Sequence, residues 1–246
     1  MSSVVFDYDA QPKDRITCPV CGRDNGSHPQ TDRFGFQIGV SDCLCGLTYL
    51  NPRMTAEAYM AFYQGPYRAL VRHLNPAGPD ADTLDAIQTL YGSTLGGQLR
   101  RASVQTGVDF LDAGGSTGAL AEGLTSVLPM TSVTVLDPSA EELGRAERRG
   151  FCTLRGTLED PPACGLFGAI VCAKTADHLL DPLAAFRWLR AHGSGWFFVD
   201  IVDSPWKIDH PLYWSPRSLK TALTVTGWTV KATWRQNEKR FGVLCV

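Results

Sequence analysis

From about residue 107 onward the chain alternates short strand-like runs with helix-like ones, and few architectures accept that pattern. "VDFLD" gives way to "GALAEGLTSVL", "SVTVLD" to "SAEELGRAERRG", "FCTLRG" to a loop, "FGAIVCA" to "DPLAAFRWLRAHG", and "WFFVDIV" to a loop and then "SPRSLKTALTVTG". Apolar strands joined by helices predict an α/β, doubly wound, mostly parallel sheet covered on both faces. "WTVKATWRQ" and "KRFGVLCV" follow with only "NE" between them, so the last two strands should form an antiparallel hairpin.

The preceding residues differ in character. Residues 1 to about 52 read as loop-like, cysteine-bearing and rich in Gly, Asp and Pro. Thr55 is placed to cap the helical text "TAEAYMAFYQGPYRALVRHL", "PAGPDAD" breaks it, and a second helical stretch spans roughly 80 to 103. The expected division is a small metal-binding segment (1–52), a helical linker or lid (53–105) and a ligand-binding domain (106–246). A chain of 246 residues, 44% apolar, can bury the core this requires. The net charge of −2 is a poor footprint for gripping nucleic-acid phosphates. No apolar run reaches the roughly 18 residues of a membrane span, and the N-terminus lacks a basic-then-apolar signal region. A cytoplasmic protein with no membrane partner is therefore expected. Its eight cysteines should be thiols or metal ligands rather than disulfides. Oligomeric state is not legible.

"LDAGGSTG", residues 111 to 118, is a glycine-rich turn at the end of the first strand of the alternating region. No lysine follows its last glycine, so it is not a triphosphate-binding loop, and Ser116 stands where a dinucleotide fingerprint has its second glycine. Asp112 at its mouth would repel a pyrophosphate and welcome a ligand carrying an ammonium group. Asp137, ending the second strand, suits the two hydroxyls of a ribose. The pair indicates a nucleoside ligand whose other end is not polyphosphate. Taken alone, the turn also fits a plain strand-to-helix connection, and Asp137 a neighbour of a helix cap at Ser139.

With these residues in this order, the segment 106–246 resembles the class I S-adenosylmethionine-dependent methyltransferases, which have a Rossmann-like fold. The family's first motif is an acidic residue followed by glycines at alternate positions; here Asp112, Gly114 and Gly118 match and Ser116 replaces the middle glycine, leaving Gly115 for the close backbone approach. The resemblance implies that Asp112 and Gly114, with Gly115, Ser116 and Gly118, hold the methionine end and that Asp137, with Pro138, holds the ribose. It implies that Thr157, Leu158 and Glu159 flank the adenine and that Ala173, ending the fourth strand, also meets the cofactor. Gly168 stands where the family often has aspartate.

"CPVCG" (18–22) and "CLCG" (43–46) form a second constellation. Cysteine pairs closed by glycine suit a tetrahedral zinc site, which predicts Cys18, Cys21, Cys43 and Cys45 as ligands of a structural Zn2+. The second pair is one residue short, so His28 or Asp42 is an alternative to one of its cysteines. So polar a segment is expected to have little core of its own and to depend on the metal. Cys152, Cys164, Cys172 and Cys245 read as small core residues. "CPVCG…CLCGLTYLNPR" resembles the start of a bacterial methyltransferase subgroup acting on natural products and surface sugars, with Leu47, Tyr49, Asn51, Pro52 and Arg53 carrying the match.

If the acceptor is a hydroxyl, a base should take its proton. His178, beside Asp177, and His210, near Tyr213 and Trp214, are the candidate catalytic residues; their plainer readings are a turn cap and an exposed loop residue. His192 reads as a charge near a helix C-terminus and His73 as helix surface. Tyr59, Phe62, Tyr63 and Tyr67 form a stripe whose default reading is core packing, with Tyr63 or Tyr67 also able to close a pocket. Lys174 either binds an acidic group of the acceptor or is solvated. Arg145, Arg148 and Arg149, alternating with Glu141, Glu142 and Glu147, read as a solvated face.

The leading expectation is methyl transfer to an O, N or C atom of a small metabolite, a sugar or natural-product intermediate, with nucleic acid disfavoured as a partner. The alternatives are a ribosomal RNA base methyltransferase and a non-catalytic regulator that binds S-adenosylmethionine.

Overall fold

The computed structural model describes residues 6–74, 78–202, 206–237 and 240–246. In chain order the elements are β1 (Lys13–Asp14), β2 (His28–Thr31), β3 (Gln37–Asp42), β4 (Thr48–Leu50), β5 (Arg53–Met54), α1 (Ala56–Gln64), α2 (Pro66–Leu74) and α3 (Ala81–Arg101). There follow β6 (Asp109–Ala113), α4 (Ala119–Val127), β7 (Ser132–Asp137), α5 (Ala140–Arg148), β8 (Cys152–Arg155), β9 (Phe167–Ala173), α6 (Pro182–His192) and β10 (Gly193–Val202). The last are β11 (Leu212–Tyr213), α7 (Pro216–Val225), β12 (Val230–Asn237) and β13 (Arg240–Cys245).

Two compact units emerge, 1–78 with 203–219, and 79–202 with 220–246. They divide the chain differently from the three segments expected. α3 belongs with the large sheet, and the stretch after β10 belongs with the N-terminal residues.

The second unit carries a seven-stranded sheet in the order β12-β13-β10-β9-β6-β7-β8. β6 through β10 run parallel, while β13 is antiparallel to both β10 and β12, as the terminal hairpin predicts. β9 reads "FGAIVCA" and is buried almost throughout because both sheet faces are covered. Phe198 joins Leu95, Leu99, Leu120 and Leu124 of α3 and α4 in one core cluster, together with Phe110 and Leu244. Its neighbour Phe197 points the other way, with its ring 6.2 Å from that of Phe186 in α6 and 4.7 Å from Trp228. α3 and α4 touch through glycines: a Cβ on Gly92 would lie 2.1 Å from the Leu120 carbonyl, and one on Gly123 1.8 Å from that of Thr89. This close seam fixes α3, and with it Asp85, Gln88 and Tyr91.

The first unit corrects the loop-like reading of residues 1–52. β11-β4-β3-β2 form a four-stranded antiparallel sheet, and β1 pairs with β5. Ile38, Val40, Leu47, Tyr49, Leu50 and Met54 are buried, so this unit has a core of its own. Strands of two to six residues interrupted by Gly and Asp leave too few alternations to be recognised. The core is completed from far along the chain. Asp32 accepts hydrogen bonds from the N–H groups of Phe34, Phe36 and Ile208, and Tyr59 donates its hydroxyl to the Ile208 carbonyl at 3.0 Å. Tyr63 donates to the Asp209 carbonyl at 2.7 Å. Of the aromatic stripe, Tyr59 and Phe62 are buried in α1, which matches core packing for these two, while Tyr63 and, in α2, Tyr67 are half-buried. Among the described residues no helix is long and apolar enough to cross a membrane.

Candidate functional site

Strand order reverses between β6 and β9, since β7 and β8 extend to one side and β10 to the other. A crevice opens at the carboxyl ends of strands at such a point, and the turn 114–118 stands there. The turn is held by β7: the N–H groups of Gly114 and Gly115 donate to the Leu136 carbonyl at 2.7 and 3.2 Å. Gly114 has a φ of +77°, and a Cβ there would lie 2.4 Å from Thr175 Oγ1, in the segment following β9. A Cβ on Gly115 would lie 2.5 Å from Asp112 Cγ. Glycine is therefore required at 115 by the side chain of Asp112. Ser116 itself adopts a left-handed φ of +51°.

Asp137 grips the turn. One of its carboxylate oxygens accepts the Ser116 N–H at 3.0 Å and the other the Ser139 N–H at 2.9 Å, where Ser139 caps α5. Both the ribose and the cap-neighbour readings of Asp137 are compatible with this, because it ends β7 at the carboxyl edge and stands beside the cap of α5. Asp112 is 2% exposed, and its Oδ2 is buried without a hydrogen-bond partner. Burial, and then the charge of Asp137, push its carboxyl up to about 7, against the opposing N–H of Ala121. A cation placed beside that oxygen would relieve the cost.

A second set of residues, missed in the sequence, fixes the turn from above. Thr117 Oγ1 donates to Asp85 Oδ1 at 2.8 Å, and Asp85 Oδ2 accepts from Arg145 and Arg149 at 2.8 and 2.6 Å. Ser116 Oγ donates to Glu142, which is buried, at 3.2 Å. The solvated-face reading of α5 is thus corrected for half of its residues: Glu142, Arg145 and Arg149 are spent on the turn and on α3, while Glu141, Glu147 and Arg148 are exposed. Nothing in the local charge pattern distinguishes these uses, because the partner lies some sixty positions away.

The other expected cofactor residues are more scattered. Pro138 follows Asp137 directly. Thr157, Leu158 and Glu159 lie after β8, with Leu158 buried, while Glu159 Oε1 accepts the N–H groups of Leu180 and Asp181 and so braces the segment ahead of α6. Ala173 ends β9 opposite Asp200. His178 sits in the turn after β9, its N–H bonded to the Thr175 carbonyl at 3.0 Å, next to the buried Asp177.

In the first unit His210 is buried, not exposed as its plainer reading had it. Its Nε2 lies 3.7 Å from Asp209 and 3.4 Å from Lys207 Nζ. His73 is exposed, and His192 caps its own helix through the Trp188 carbonyl at 2.9 Å.

Cys18, Cys21, Cys43 and Cys45 converge, with all four sulfurs within 4.8 Å of one another. Cys18 and Cys45 are 3.6 Å apart and Cys21 and Cys43 3.3 Å, close to the roughly 3.8 Å edge of a tetrahedron built on zinc–sulfur bonds. Gly22 and Gly46 close the two turns at φ of +71° and +93°. His28 and Asp42 pair instead with each other at 3.8 Å, outside the cluster. The donor set fits Zn2+. Of the remaining cysteines, Cys172 and Cys245 are core residues, but Cys152 is exposed on the edge strand β8 and Cys164 is half-exposed, which corrects their reading as core.

No protein-family model matches the chain, and no curated protein matches it in sequence. Solved structures do match its fold. A Haloferax volcanii methyltransferase in complex with the Trm112 methyltransferase activator gives a TM-score of 0.57 at 15% identity, covering 68% of this chain and 94% of that one. Magnesium protoporphyrin IX methyltransferase ChlM of Synechocystis PCC 6803, solved with bound S-adenosylmethionine, gives 0.55 at 12% identity over 77% of this chain and 94% of its own. The glycopeptide N-methyltransferase MtfA gives 0.53 at 14% identity over 63% and 90%. The chain therefore has the Rossmann-like fold shared by these class I S-adenosylmethionine-dependent methyltransferases.

Proposed function

We propose that the protein is an S-adenosylmethionine-dependent methyltransferase acting on an O, N or C atom of a small metabolite, such as a sugar or natural-product intermediate. The observation that carries this reading is the buried, unpartnered Oδ2 of Asp112 beside the glycine turn at the switch point. It favours a cationic ligand over a pyrophosphate. Bound there, S-adenosylmethionine supplies a methyl group on a positively charged sulfur. Asp112, Gly114, Gly115, Ser116 and Gly118 take its methionine end, Asp137 and Pro138 its ribose, and Thr157, Leu158, Glu159 and Ala173 line the remainder. The protein's contribution is alignment, which alone supplies much of the rate in such displacements. His178 and His210 are the candidates for removing a proton from the acceptor.

Cys18, Cys21, Cys43 and Cys45 hold a structural Zn2+ in this reading, since four protein ligands leave no open coordination position. The subgroup resemblance of residues 18–53 and a cytoplasmic location belong to the same proposal.

The test is calorimetric titration with S-adenosylmethionine and, in parallel, NAD, followed by transfer of a labelled methyl group to a small-metabolite extract and to total RNA. Binding of S-adenosylmethionine with label in the metabolite fraction is expected. Label in RNA would replace the acceptor class, and tight binding without transfer to either would favour the regulator.

A further inference from the structure

Three charged groups that the glycine turn does not use meet at the same edge of the sheet. Lys174 directly follows β9, Asp200 lies near the end of β10, and Arg240 opens β13. Because β13 runs antiparallel to β10, its first residue falls at the carboxyl edge, where Arg240 pairs with Val202. α3 covers the group. The guanidinium carbon of Arg240 lies 4.2 Å from the centroid of the Tyr91 ring and Lys174 Nζ lies 5.2 Å from it, while Nζ donates to Gln88 Oε1 at 2.8 Å.

Asp200 is fully buried and faces Arg240, Nε to Oδ2, at 3.6 Å. Lys174 is left to a neutral amide, with its backbone held at a left-handed φ of +57° by an N–H bond to the Asp200 carbonyl at 3.1 Å. A non-glycine residue in that conformation carries backbone strain, of a kind that collects at functional sites. Burial, and then the charge of Arg240, lower Lys174 to about 8, with Asp200 opposing; the buried Asp177 bears on Asp200 from the same edge. Among the described residues, Asp200 is thus the carboxylate whose charge bears on Lys174, and it already faces Arg240. The next residue, Thr175, is the one against which Gly114 is packed.

We propose that Lys174 and Arg240 form an oxyanion-binding subsite that receives a carboxylate or phosphate group of the methyl acceptor. The assignment of that anion to the acceptor rests on the methyltransferase reading of the adjoining turn. Arginine presents a planar fork and lysine a mobile point charge, a combination that suits either oxyanion.

The experiment titrates the full-length protein, saturated with S-adenosylhomocysteine, with inorganic phosphate and separately with acetate, while NMR follows the Lys174 side chain. Saturable binding should raise the Lys174 pKa by about one unit or more and should be lost in Lys174→Met with melting temperature retained. Response to phosphate alone identifies a phosphorylated acceptor, and response to acetate alone a carboxylic acid. A Lys174 titration that neither anion moves overturns the subsite, as does equal anion affinity in Lys174→Met. The wild-type titration stands even if the variant folds poorly. Failure of S-adenosylhomocysteine to bind, with the anion response intact, would instead remove the methyltransferase reading.

Discussion

Thr117 and Asp85 are joined by a 2.8 Å hydrogen bond that ties the glycine turn to α3. The same carboxylate holds Arg145 and Arg149, so one residue couples the turn, α3 and α5. Replacing Asp85 by Ala should weaken S-adenosylmethionine binding and cost about 1–3 kcal/mol of stability, the range for a partly buried charge network. Asp85→Asn keeps an acceptor for Thr117 but loses the ionic partners. It should therefore retain more affinity than Asp85→Ala at similar loss of stability. Denaturant unfolding beside calorimetry separates the two effects, and equal affinity in both variants would detach the turn from this bond.

Asp137→Ala should raise the Kd for S-adenosylmethionine by roughly 10- to 100-fold, since hydrogen bonds to a charged group contribute about 1.5–3 kcal/mol. The Ser116 N–H loses its acceptor in the same step. The circular dichroism spectrum should be unchanged. Unaltered affinity would refute the ribose role.

Cofactor affinity should depend on pH through Asp112. Its carboxyl is held at about 7 in the folded chain, above the unfolded value near 4. The folded state thus keeps the proton longer. The group's unfavourable contribution is absent below about pH 4, grows as pH rises through about 7 and is constant above. A cationic ligand prefers the ionised form. Affinity should fall as pH drops below about 7, by at most tenfold per unit, with proton release on binding. Asp112→Asn should flatten that profile, and a flat wild-type profile would sink the assignment.

Chelation should act locally. Removing Zn2+ with a strong chelator, or replacing Cys18 by Ser, should accelerate hydrogen exchange in residues 13–54 before it affects β6, β9 and β10. The core around Tyr49 and Leu47 should leave the apo unit partly ordered. Purified protein free of zinc with unaltered exchange would remove the metal from the account.

Periodicity and local chemistry were enough for the sheet of the second unit. The apolar runs of β6, β7, β9 and β10 declare buried strands, and the glycines and acids at their ends mark one edge, because these signals lie within a few consecutive residues. The paired "CPVCG" and "CLCG" likewise announce a cysteine cluster in short spacings, although the convergence of Cys43 and Cys45 with Cys18 and Cys21, leaving His28 and Asp42 outside, awaited the folded geometry. Only tertiary structure decided the rest. Asp85 reads as one polar residue in a helix until α5 is brought against it; Arg240 reads as an ordinary strand end until β13 turns antiparallel and sets it beside Asp200 and Lys174. The N-terminal sheet depends on Ile208 and Leu212, more than a hundred and fifty positions beyond its other strands. Spacing along a chain reports periodic burial, whereas pairing between distant side chains is set by the packing of whole elements.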